Sequence, residues 1–136
     1  MRRLYSAETQ TRRGRSPVGL HRSLTGSLCL ARWASQGRIA RLLGDAAVLL
    51  GQPAEARAYY VQALTVCAKV RFRPETAITR LHLAELLLDD ALTPTLSQSE
   101  REQALGHLDF AIEEFRAMKM QPYLEQALRH KGLLHA

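Results

Sequence analysis

His82 and Glu85 stand three residues apart. On a helix that is close to one turn, a spacing at which an imidazole and a carboxylate can share a divalent cation. The remaining histidines, His21, His107, His130 and His135, supply no second pair of matching spacing. His130 and His135 are five apart and do not share a helix face well. An isolated pair of this kind reads more simply as solvated or groove-lining than as a metal site. Catalysis by Ser/His/Asp or Cys/His finds no recognisable local signature, and no G-x-x-x-x-G-K-[ST] phosphate loop occurs. The two cysteines, Cys29 and Cys67, are far apart and form neither a zinc pattern nor a disulfide framework. Cys67 falls on an apolar helix face, where a thiol acts as a small hydrophobe. No metal, no cofactor and no catalytic residue are expected, and a reducing cytoplasm fits the cysteine usage.

These side chains would be positioned by helices. Residues 38 to 50 carry Ile39, Leu42, Leu43, Ala46, Ala47, Leu49 and Leu50, a broad helical stripe. Gly51 ends it, since glycine takes the left-handed C-terminal conformation cheaply. Pro53 then suits the first turn of a helix to about residue 69, where its missing N–H is harmless. That helix buries Ala56, Tyr60, Ala63, Leu64 and Cys67. A third runs from about Pro74 to residue 89 through Ala77, Ile78, Leu81, Ala84, Leu87 and Leu88. A loop around Pro94 follows. Ser97 with Glu100, and Ser99 with Glu102, both fit a capping box. The fourth helix, about 98 to 118, buries Ala104, Leu108, Ala111, Ile112 and Phe115. The last starts at Gln121 and Pro122 and uses Leu124, Ala127, Leu128 and Leu134. Upstream, residues 18 to 36 read as a weak helix or linker, with Gly19 and Gly26 counting against helix. Residues 1 to 17 read as a disordered basic arm.

Charge separates arm from body. The 136 residues carry a net charge of +6. Residues 1–36 hold seven arginines and one acid, hence 7 − 1 = +6, while residues 37–136 hold 12 basic and 12 acidic residues. The basic balance therefore describes the first 36 residues alone. Such an arm could contact phosphates, but it lacks interleaved aromatics beyond Tyr5, so nucleic-acid binding stands as the alternative function. No apolar run approaches the ~20 residues of a membrane span, so no membrane partner is expected.

The chain also matches itself at an offset of 48 residues. Ala56 falls on Ala104, Tyr60 on Leu108, Ala63 on Ala111, Leu64 on Ile112, Val70 on Met118 and Pro74 on Pro122. A gapless echo of this kind marks a helical repeat array. Residues 37 to 70 resemble a tetratricopeptide repeat: Leu43 and Gly44, then Ala47, Gly51, Ala56, Tyr60 and Ala63 stand in that family's spacing. Ala84, with Leu83 beside it, takes the place of Gly44 forty residues on, and Ala104, Leu108 and Ala111 repeat the second-helix pattern. More narrowly, residues 37 to 134 are similar to the C-terminal helical-repeat region of bacterial ATPase regulators of the LuxR and maltose-activator type. Neither their NTPase module nor a helix-turn-helix stands in this sequence.

The resemblance implies an all-α fold, an antiparallel helix-pair, TPR-like α-solenoid of about two and a half units over residues 37–136. Leu43, Gly44, Ala56, Tyr60, Ala63, Ala84, Ala104, Leu108 and Ala111 would pack the repeats. The first helix of each pair would line a groove, with Arg38, Arg41, Asp45, Glu85 and Asp89 exposed in it. Asp45 and Glu85 argue against the subclass of such grooves that grips a partner's C-terminal carboxylate. The implied function is non-catalytic protein or peptide binding in a bacterial, cytoplasmic signalling or transcription-regulatory system. Self-association through an exposed end is also expected, because fewer than ~3 repeats rarely stand alone.

Overall fold

The structure is a computed structural model that describes residues 18–89 and 97–135. The described residues form five helices: α1 (Val18–Leu49), α2 (Pro53–Val70), α3 (Arg73–Asp89), α4 (Gln98–Ala117) and α5 (Gln121–His135). The described part is all-helical, and none of its helices is long and apolar enough to cross a membrane. Residues 1–17, read as a basic arm, and the segment around Pro94 lie outside the described residues. α1 runs through residues 36–37 as one helix, so of the two readings of residues 18–36, weak helix or linker, the helix is the one seen.

Local chemistry sets the helix ends. Gly51 has φ 71°, and its N–H donates to the Val48 carbonyl while that of Gln52 reaches Ala47. Pro53 opens α2 in the first turn. α4 begins with the reciprocal Ser97–Glu100 capping box. Two further ends repeat the Gly51 geometry without glycine. Arg71 (φ 52°) and Lys119 (φ 56°) are left-handed, and the following N–H groups of Phe72 and Met120 donate to Cys67 and Phe115 carbonyls. Arg71 and Lys119 are 48 residues apart, as are the starts of α3 and α5 at Arg73 and Gln121. The sequence echo is therefore a structural one: α2–α3 recurs as α4–α5.

Each helix packs on the next in the chain. Contacts show antiparallel neighbours. On α1 and α2, Gly44 faces Tyr60 and Gly37 faces Cys67. On α3 and α4, Arg73 pairs with Glu114, and Arg80 lies over the Phe110 ring at 4.0 Å. On α4 and α5, Phe115 stacks on Tyr123 and Lys131 pairs with Asp109. In addition α1 touches α3, and α3 touches α5. The odd-numbered helices thus sit side by side, with α2 and α4 packed between successive pairs.

Two clusters make the core. One joins Ala77, Leu81, Ala84 and Leu87 of α3 to Ala104, Leu108, Ala111 and Phe115 of α4, and to Ala127 and Leu134 of α5. The other joins Ala47, Ala56 and Tyr60 to Leu83 and Leu86. Each large side chain fully withdrawn from water contributes roughly 1.5–3 kcal/mol. Small residues let the helices approach. A Cβ at Gly44 would lie 2.5 Å from the Tyr60 ring, so only glycine fits there without displacement. Of the expected repeat-packing residues, Gly44, Ala56, Tyr60, Ala63, Ala84, Ala104, Leu108 and Ala111 are buried. Leu43 departs from them at 46% exposure, because no described helix covers its side of α1. Leu128, expected inside, is also exposed at 45%, on the open side of the terminal helix α5. Cys67 is fully buried, and burial, then the Glu75 charge, raises its pKa.

Candidate functional site

The neighbouring odd helices bring distant polar side chains onto one face. α1 contributes Arg38, Arg41 and Asp45, one turn apart along the helix. α3 contributes Glu75, His82, Glu85 and Asp89, and α5 contributes Gln126 and His130. The strip begins at Glu75, whose carboxylate is only 2% exposed. Arg41 Nε donates to Glu75 Oε1 at 2.5 Å, and Arg38 stands at the rim, 3.8 Å from the same carboxylate. Glu75 also lies in the first turn of α3, where the helix dipole favours a negative charge. A buried carboxylate needs such partners, since desolvation otherwise outweighs any attraction.

Arg41 reaches onward, its Nη1 donating to Asp45 Oδ2 at 2.9 Å. Asp45 is the hub of the strip. The Tyr60 hydroxyl donates to its Oδ1 at 2.8 Å from below. His82 Nδ1 lies 2.6 Å from the same oxygen. A carboxylate only accepts, so Nδ1 carries the proton of this bond. Burial, then the bond to Asp45, raises the Tyr60 pKa and keeps the phenol protonated. Tyr60 also meets the His82 ring edge-on, with centroids 6.2 Å apart. Further along, Glu85 Oε1 accepts from Gln126 Nε2 at 2.6 Å and sits 2.9 Å from His130 Nε2.

Between α1 and α3 the strip opens into a cleft of about 260 Å³. Asp45, His82, Glu85 and Asp89 supply its polar wall, and Val48, Leu49 and Leu86 its apolar one. Such a cleft offers apolar contact together with three carboxylates.

The expected groove residues therefore come together, with different duties. Arg41, Asp45 and Glu85 are tied into the bonded strip, Arg38 marks its rim and Asp89 stands exposed at its far end. His82 and Glu85, weighed as a metal pair, turn to different partners, Asp45 and His130. Among the described residues no group of three or more His, Cys, Asp or Glu is arranged to hold a metal ion. Sequence reasoning missed Glu75, Gln126, His130 and the Tyr60 hydroxyl as members of the strip. Glu75 gave no signal, because its partner Arg41 is 34 residues away. His130 was considered only against His135, not against Glu85 on the neighbouring helix.

No family model matches the chain, and neither a curated protein nor a solved structure matches it.

Proposed function

We propose that the chain is a non-catalytic protein–protein interaction module of the tetratricopeptide type, with α1, α3 and α5 as the inner helices of about two and a half units. Its setting, by resemblance, is a bacterial signalling or transcription-regulatory system. The partner presents an extended segment or a helix along the strip, a recognised use of such grooves. The observation that carries this reading is the cleft between α1 and α3, where Asp45, Glu85 and Asp89 stand beside Val48, Leu49 and Leu86. Three carboxylates beside an apolar wall favour a lysine or arginine flanked by an aliphatic residue, because the stem packs while the head meets charge. Arg41 already pairs with Asp45, so Glu85 and Asp89 are the carboxylates left to meet that head. The alternative, nucleic-acid binding through the basic arm, draws on residues outside the described ones, and nothing in the described residues favours it.

Selection from a random peptide library tests the proposal. Enriched peptides should carry a basic residue next to an aliphatic one. The double variant Glu85→Gln/Asp89→Asn, which keeps side-chain size, should weaken them about tenfold or more. Absence of any enrichment, or binding that ignores the double variant, contradicts it.

A further inference from the structure

The outer face of α1, turned away from α2, is apolar and open, and at its end Leu49 also borders the cleft. Ile39, Leu42, Leu43, Leu49 and Leu50 lie there with exposures of 55%, 51%, 46%, 89% and 74%. At 100° per residue they share one side of the helix with Ala46, while Asp45 points to the strip and Gly44 to Tyr60. Their exposed surface is on the order of 600 Å², the upper end of what a monomer leaves in water. The equivalent face of α3 is covered, for Leu83 and Leu86 pack on Ala47, Ala56 and Tyr60. The α1 face is thus a packing surface without its cover.

The order of its residues and the area they leave open suit a second copy as the cover. Leu42 and Leu43 precede Ala46 by four and three positions, and Leu49 and Leu50 follow it by three and four. The pattern reads the same in both directions about Ala46. An antiparallel copy related by a two-fold axis beside Ala46 would set Leu42 and Leu43 against Leu50 and Leu49 in both directions, the isologous pairing of such an interface. The central residue is small, so two backbones can approach there. No charged residue interrupts the face between Ile39 and Leu50. Complete covering of these residues in both copies would remove up to about 1,200 Å², the lower edge of a specific interface. Beside the stripe, a cleft of about 390 Å³ lined by Ile39, Leu42 and Phe72 gives a partner side chain room to enter.

We propose that the chain forms a two-fold homodimer through α1, with the axis beside Ala46. Leu42 and Leu43 of one copy lie against Leu50 and Leu49 of the other. Of the contact residues only Leu49 also borders the cleft between α1 and α3, so Leu42→Glu is the variant that separates dimerisation from peptide binding. Sedimentation equilibrium on the full chain tests it, together with oxidative cross-linking of an Ala46→Cys/Cys29→Ser variant. The expected result is a reversible monomer–dimer equilibrium and a disulfide-linked dimer. Leu49→Glu and Leu42→Glu should each shift the equilibrium to monomer with unchanged helical circular dichroism. Leu49 is 89% exposed, so its substitution leaves the monomer fold intact. Leu133→Glu, at the exposed end of α5, should have no effect. A monomer at millimolar chain, larger open assemblies, or a dimer indifferent to both glutamates would overturn the proposal.

Discussion

Leu43 and Leu83 hold comparable places in two helices that are built alike, yet one is 46% exposed and the other 5%. The difference lies in their neighbours. α3 is enclosed by α2 on one side and α4 on the other, and nine of its residues are buried, Glu75 and Thr79 among them. α1 has α2 on one side and touches α3 only lightly, along the polar strip and through Ala47, which clusters with Leu83 and Leu86. Its attachment therefore rests on small residues, Ala40, Gly44 and Ala47, and on the bonds of Arg41 and Asp45. The α3–α5 region is held mainly by apolar contact, centred on Leu81, Leu108 and Phe115. Similar apolar patterns thus yield either a core helix or an edge helix, according to what covers them.

The comparison can be broken most forcefully at Glu75. Glu75→Ala should cost about 3–5 kcal/mol in urea unfolding, because it breaks a buried ion pair and leaves Arg41, only 13% exposed, with Asp45 as its one carboxylate partner. Glu75→Leu combined with Arg41→Met should recover most of that loss. A small effect of Glu75→Ala would mean that the strip does not fasten α1 to α3. The leucine pair comes next. Leu83→Ala should cost about 2–4 kcal/mol through the cavity it leaves. Leu43→Ala, measured at dilute chain, should stay within ~0.5 kcal/mol of the original. Equal costs would show that α1 is covered after all.

Close helix approach predicts a smaller effect. Gly44→Ala drives a Cβ into the ring of Tyr60 and should cost about 1–3 kcal/mol. Shrinking the ring in the double variant Gly44→Ala/Tyr60→Leu should give less than the sum of the single losses. The smallest effect has the opposite sign. Lys119 holds φ 56°, a conformation disfavoured for side chains with a Cβ. Lys119→Gly should raise stability by roughly 0.5–1 kcal/mol, read as a higher Tm. A loss there would show that the Lys119 side chain contributes something this conformation does not reveal.

What could be read in advance was local. Gly51, Pro53 and the Ser97–Glu100 box mark helix ends through their own backbone chemistry, within three residues of the group they satisfy. The apolar spacing of α2 and α4 identified their buried faces, and helix geometry put Arg41 and Asp45 on one side of α1. What could not be read depends on packing between distant segments. Glu75 resembles any first-turn acid until Arg41 is brought to it. Gln126 and His130 become partners of Glu85 only when α5 lies beside α3. Arg71 and Lys119 end their helices in a conformation that their side chains do not advertise. Leu43 was expected inside because its residue type matched a repeat, but burial requires a neighbour that the described residues do not supply.

The central claim is that a partner lies on the face shared by α1 and α3. An NMR titration of the labelled chain with a selected basic peptide tests it most directly. The account predicts amide shifts clustered at Asp45, Val48, His82, Glu85 and Asp89, with α4's Phe110 and Glu113 unmoved. Shifts centred on the solvent sides of α2 and α4, with the cleft unaffected, would contradict it.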